Sequence, residues 1–122
     1  MRLLAFDKSG QPVIGVRRGR EVVDLSVAAP SLPRDVPALL AAGPAAMDAV
    51  RKAAASPPRG SVLPEDGIAY HPPVWNPGKI VCVGLNYADH AAESGLKKPD
   101  YPVLFLRVNT TLVGHKQPLL VP

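Results

Sequence analysis

The stretch Lys79-Ile80-Val81-Cys82-Val83-Gly84-Leu85-Asn86-Tyr87-Ala88-Asp89-His90-Ala91-Ala92-Glu93-Ser94-Gly95 decides how this chain is read. Its first six residues are rich in β-branched side chains and lack polar alternation, which predicts a strand buried on both faces. Asn86 then suits a helix N-cap, Asp89 follows three residues on in the manner of a capping box, and Gly95 can supply the left-handed stop. A helix of about two turns is expected to leave the strand directly. On it His90 and Glu93 lie three positions apart and share a face. A carboxylate beside an imidazole fixes its tautomer and raises its basicity, and imidazole titrates near neutrality, so the pair is equipped to activate water or move protons. Taken by spacing alone, a solvated surface pair worth a few tenths of a kcal/mol is the commoner outcome. A metal reading of the same two residues needs at least one further protein ligand.

Upstream, Leu3–Phe6, Val13–Val16 and Val22–Leu25 are short apolar stretches divided by Asp7-Lys8-Ser9-Gly10 and by Arg18-Gly19-Arg20. Turn chemistry between β-favouring runs predicts a three-stranded meander. Asp35 can cap a helix over Val36–Ala42, with Pro37 in its first turn and Gly43 as its stop. Pro44 suits the start of a second helix through about Ala55, where Met47, Val50 and Ala54 form a narrow apolar stripe for the core. Prolines and glycines then crowd residues 57–78, leaving room for one short strand, Ile68–Tyr70. The domain boundary is expected there: an N-terminal domain over 1–71 and the start of a second over 72–122. Trp75 is read as packing over the junction. Downstream, Val103–Leu106, Leu112–Val113 and Leu119–Val121 read as strands, with Gly114-His115-Lys116-Gln117 as a turn.

Composition narrows the classes. The chain has 122 residues, 47% hydrophobic and 20% charged, which is ordinary globular usage. Its 15 prolines favour short elements over long bundles. No apolar run approaches the roughly 20 residues of a bilayer span, so no membrane partner is expected. Asp7 interrupts the N-terminal apolar stretch too early for a signal peptide, and the single cysteine, Cys82, fits a reducing compartment; the cytoplasm is the expected location. The net charge of +4 raises the question of an anionic partner, yet Arg17, Arg18 and Arg20 surround a turn and lack interleaved aromatics, so nucleic acid is not expected.

The wider string strongly resembles the fumarylacetoacetate hydrolase family. Pro77-Gly78-Lys79-Ile80, Gly84-Leu85-Asn86-Tyr87, Asp89-His90-Ala91-Ala92-Glu93 and Pro102-Val103-Leu104-Phe105-Leu106-Arg107 are its spaced elements. The resemblance extends more loosely through Thr110-Thr111-Leu112-Val113-Gly114 and back to Val22–Leu25, and only residues 77–122 carry the diagnostic motifs. It implies an α+β fold, mainly β: a small N-terminal β-meander with two short helices, then the opening strands and lid helix of a truncated mixed β-roll. It implies a metal-dependent enzyme, hydrolase or lyase, acting on small 2-oxo acids. The reactions are C–C hydrolysis of the fumarylacetoacetate or acylpyruvate type, or related decarboxylation, isomerisation or hydration, as in aromatic compound catabolism. His90 and Glu93 match the catalytic dyad, and Arg107, Tyr87 and Thr110 become candidates for holding substrate.

Arg107 stands where the family more often has lysine; bidentate anion binding stays open to it, as does a solvated strand-end position, while lysine-like proton exchange does not. Lys97-Lys98-Pro99-Asp100 reads equally as a lid or as an ordinary surface connection. The implied cofactor is Mg2+, or Mn2+ or Ca2+, held in a full-length homodimer by later carboxylates. Nothing after Asp100 is acidic, so no metal ligand is expected in this chain and alone it is expected to be inactive. The alternative is a non-catalytic binding or assembly module derived from the same family, which accounts for the missing carboxylates but leaves the Asp-His-x-x-Glu string unexplained.

Overall fold

The computed structural model of the chain describes residues 1–95, 97 and 99–121, without the side chain of His90. Contacts group them into two units: Met1–Trp75 with the stretch from Val113 onward, and Asn76–Leu112. The fold is α+β and mainly β. No helix among the described residues is long and apolar enough to cross a membrane.

The first unit is organised by two tight turns. β1 (Arg2–Lys8) and β2 (Gln11–Arg18) close on Ser9-Gly10, with φ of +56° and +79°, the pair of left-handed residues that a two-residue hairpin matched to strand twist requires. β3 (Glu21–Asp24) follows around Gly19, φ +63°. The meander expected from the sequence is thus present. The apolar run of the third strand stops at Asp24 because its carboxylate accepts from the Ser26 amide at 2.8 Å and caps a helix, α1 (Leu25–Ala28), making three helices in place of the expected two. α2 (Val36–Ala41) is capped by Asp35, which accepts from the Ala38 amide at 2.8 Å, and α3 (Gly43–Ala55) starts at left-handed Gly43, φ +80°, and Pro44.

The chain returns as β4 (Val62–Pro64) on β3 and β5 (Tyr70–His71) on β1, giving an antiparallel sheet in the order β4-β3-β2-β1-β5. β4 was not expected, and the strand read over Ile68–Tyr70 is displaced towards His71. The Ile68 amide is taken by the Glu65 carbonyl at 3.1 Å, closing a 3-10 turn over Glu65–Gly67 and withholding Ile68 from the sheet. Leu112–Val113 and Leu119–Val121 form no strand; Leu112 donates to the Asn109 carbonyl in a turn, and Gln117 to Gly114 in the expected Gly114–Gln117 turn.

Pairing of Leu3 with Val16 and Ala5 with Ile14 sends Leu3, Ala5, Ile14, Val16 and Val23 to one face, where Leu39 and Val50 pack fully buried, each contributing about 2 kcal/mol by burial. Met47, Ala54 and Trp75 pack around that cluster. The opposite face gathers Leu4, Phe6, Val13 and Val22, with Leu63, Ile68 and Tyr70 against them. Gly15 makes this second layer possible: a Cβ there would stand 2.7 Å from Val22 Cγ1 and 2.9 Å from the Val23 carbonyl oxygen. Asp24, opposite Gly15, is buried but satisfied, accepting from the Lys8 ammonium and from the Ser26 hydroxyl at 2.6 Å.

Glu65 ties the sheet's ends together. It accepts from Arg17 Nε at 2.8 Å and from the Tyr70 hydroxyl at 2.6 Å. The Tyr70 bond, then Arg17, lowers the Glu65 pKa, and the same carboxylate raises that of Tyr70. The lowered acid stabilises the fold above its unfolded pKa, and that contribution disappears as pH falls through the lower folded value. The raised phenol stabilises it below its unfolded pKa, and that part is lost as pH rises through the higher folded value. Tyr70→Phe should therefore lower the mid-pH stability plateau and make the acid and alkaline limbs shallower, the variant converging on the parent at both extremes, read as urea midpoints from pH 3 to 11; a profile parallel to the parent's would contradict the coupling. Gly15→Ala should lower the unfolding free energy by about 1–3 kcal/mol through overpacking, and an unchanged urea midpoint would show that the sheet yields there.

Candidate functional site

The second unit is a hairpin and a helix. β6 (Ile80–Gly84) pairs antiparallel with β7 (Val103–Arg107), from Ile80 opposite Arg107 to Gly84 opposite Val103. β-branched and aromatic residues account for the strands. Burial on both faces, expected for β6, is not found: Val81 and Val83 are 52% and 47% exposed, and their partners Leu106 and Leu104 are 74% and 62% exposed. A two-stranded sheet has no layer to cover that face within this unit. Cys82 lies on the other side, opposite Phe105, and is half-buried.

Between strand and helix the backbone turns at Leu85, whose φ of +52° is a left-handed conformation that costs a side-chain-bearing residue about 1–2 kcal/mol. α4 (Ala88–Glu93) follows after Asn86 and Tyr87. Its first hydrogen bond runs from the Ala91 amide to the Tyr87 carbonyl at 3.1 Å, so the helix starts one residue later than a cap at Asn86 implies. Ala91 is the residue it buries. Gly95 stops it as expected, with φ +65° and its amide donating to the Ala92 carbonyl at 3.0 Å.

Chain continuity brings Tyr87, position 90 and Glu93 together on or beside this helix. The His90 side chain lies outside the described residues, as do Leu96 and, within the Lys97–Asp100 stretch read either as a lid or as a surface connection, Lys98. Glu93 is exposed, and Tyr87, 74% exposed, neither packs nor finds a partner for its hydroxyl among the described residues. Arg107 is exposed and stands at the other end of the hairpin from the point where Leu85 departs, four residues or about 13 Å along the strand. Thr110 is exposed in a 3-10 turn over Asn109–Thr111. Sequence reasoning missed what secures that turn: Asn109 Nδ2 donates to Asn76 Oδ1 at 2.9 Å, and the Thr111 hydroxyl donates to the Val108 carbonyl at 2.7 Å. The asparagine in Trp75-Asn76-Pro77 was the available signal. Among the described residues no hydrogen bond or ion pair joins Tyr87, Glu93, Arg107 and Thr110 to one another.

No three His, Cys, Asp or Glu side chains among the described residues are placed to hold a metal ion. Glu65, half of the one adjacent acidic pair, is already engaged by Arg17 and Tyr70.

Residues 79–122 match the family model of the fumarylacetoacetate hydrolase C-terminal domain. The chain belongs to the fumarylacetoacetate hydrolase family. Along its whole length it is similar to the rat mitochondrial oxaloacetate tautomerase Fahd2a, 32% identical over 126 residues, and to the bovine protein FAHD2A of the same description, 34% identical. A solved structure from Mycobacterium smegmatis, carrying the provisional name HpcE protein, is 30% identical and superposes on the whole chain with a TM-score of 0.72. The chain spans about two fifths of these relatives, 40% of the curated proteins and 41% of the solved one. The strand–turn–helix bearing the Asp-His-x-x-Glu string therefore sits inside the matched family segment.

Gly95→Ala should cost about 1 kcal/mol by forcing a side chain into the left-handed stop, seen as faster amide exchange over Ala91–Glu93; unchanged exchange would mean the helix end does not depend on that glycine.

Proposed function

We propose that the full-length protein containing this chain is a metal-dependent enzyme acting on small 2-oxo acids, in which His90 and Glu93 move the protons. The observation that carries this reading is the alignment of all 122 residues with proteins named oxaloacetate tautomerase. The local geometry supports it: a strand ends in a left-handed residue and hands the dyad's positions to a short helix. Strain at such a junction is common where side chains are held for chemistry.

Keto–enol exchange is the reaction we favour. A proton leaves C3 while the C2 oxygen gains one, no water is consumed, and a base titrating near neutrality serves both directions. The Glu93 carboxylate would orient the imidazole. Hydrolysis of an acylpyruvate or fumarylacetoacetate type of substrate would use the same pair to activate water. Arg107, Tyr87 and Thr110 are our candidates for substrate contacts, Arg107 through bidentate bonds to a carboxylate. Magnesium, or manganese or calcium, is part of this proposal for the full-length homodimer; the described residues of this chain do not offer its ligands. The single cysteine supports a reducing location, the cytoplasm in our reading.

In the full-length protein supplied with magnesium, enol absorbance should report oxaloacetate tautomerisation, slowed by about 10²-fold or more in His90→Ala and in Glu93→Gln with unchanged circular dichroism. Parent-like rates in both variants would refute the dyad. Faster turnover of an acylpyruvate than of oxaloacetate would move the assignment to hydrolysis.

A further inference from the structure

The β1–β2 register sets Arg2 directly opposite Arg17. Like charges so placed repel, and a sheet that keeps them needs negative charge nearby. Glu65 supplies part of it, held by the Tyr70 hydroxyl and accepting from Arg17 Nε. That bond fixes the guanidinium while leaving both terminal nitrogens without an acceptor among the described residues. A further cation is brought in by the backbone: the Glu65 amide donates to the Arg20 carbonyl at 3.0 Å. Another comes from the far end of the chain. Gly114 lies so close to the Tyr70 carbonyl that a Cβ would stand 1.8 Å from its oxygen, and the His115 ring meets Tyr70 edge-on with centroids 5.3 Å apart. Lys116 follows in the same turn.

Arg2, Arg17, Arg20 and Lys116 line one cleft of about 630 Å³, against two carboxylates, Glu65 and Asp66. Arg2, Arg20 and Lys116 form no ion pair among the described residues. Leu4 and Ile68 add apolar surface, and Tyr70 and His115 present aromatic edges. The volume is that of a small-molecule site. We propose that this cleft binds a small polyanion bearing clustered phosphate or carboxylate groups. The anion would bridge Arg17's free terminal nitrogens to Arg2 and Lys116 and relieve the cross-strand repulsion. Arginine favours such bidentate contact, and its weakly hydrated head gives up water readily.

Calorimetric titration of the full-length protein with inorganic pyrophosphate and with citrate, at constant ionic strength, tests this. Saturable binding of at least one is expected, weakened tenfold or more in Arg2→Gln/Lys116→Gln and unchanged in Lys52→Gln on α3. Preference for pyrophosphate assigns the natural ligand to phosphate compounds, and preference for citrate to polycarboxylates. Without anion, Arg2→Gln should raise Tm, because it removes one of two opposed charges. No saturable binding, an equal loss in Lys52→Gln, or a lower anion-free Tm in Arg2→Gln would each overturn the proposal.

Discussion

Hairpin register is the constraint on which the first unit depends. With two left-handed residues closing the β1–β2 turn, Lys8 faces Gln11 and every later pairing follows. A slip of one residue would exchange the two faces of the strand, sending Leu4 and Phe6 into the helical layer and Ala5 away from it. Because both faces carry apolar side chains, the helices can cover one while the Glu65–Gly67 turn and Tyr70 approach the other. Gly15 belongs to the same geometry, since the second layer closes over a position that has no room for a methyl group.

The same register has an electrostatic consequence. Arg2 and Arg17 face each other because Leu3 and Val16 do. The tyrosine–carboxylate–arginine chain that follows is local, short and partly shielded, conditions under which charge-assisted bonds hold a side chain in one orientation. Its position at the edge of a cationic cleft makes Glu65 a fixed point around which the remaining charges are arranged.

The second unit rests on a different principle. Its hairpin buries little by itself, Ala91 on α4 is the unit's one buried hydrophobic residue among those described, and the hairpin face of Val81, Val83, Leu104 and Leu106 is exposed. What it does set is direction: the chain leaves Gly84, turns at left-handed Leu85 and enters α4 after a three-residue connection, Leu85–Tyr87. A strained junction of this kind limits where Tyr87, position 90 and Glu93 can go, which suits residues that must meet a substrate in one geometry.

Local chemistry was legible in the sequence wherever it acts within a few residues. Asp35 as a cap, Gly43 and Gly95 as helix stops, the turn at Ser9-Gly10 and the apolar stripe of α3 all follow from side-chain type and spacing, and so did the Asp-His-x-x-Glu string that marks the family. What depended on partners distant in sequence was not legible. β4 exists because it pairs with β3; Leu112–Val113 and Leu119–Val121 have strand-like composition but pair with no strand, and β6 has one face exposed. Arg107 could be picked out as a substrate contact by its motif, yet only antiparallel pairing with Ile80 decides that its strand end lies away from Leu85. Hydrogen bonds between strands and burial between layers join residues that the chain order separates, so composition sets what each segment is able to form and tertiary pairing selects which of those forms it takes.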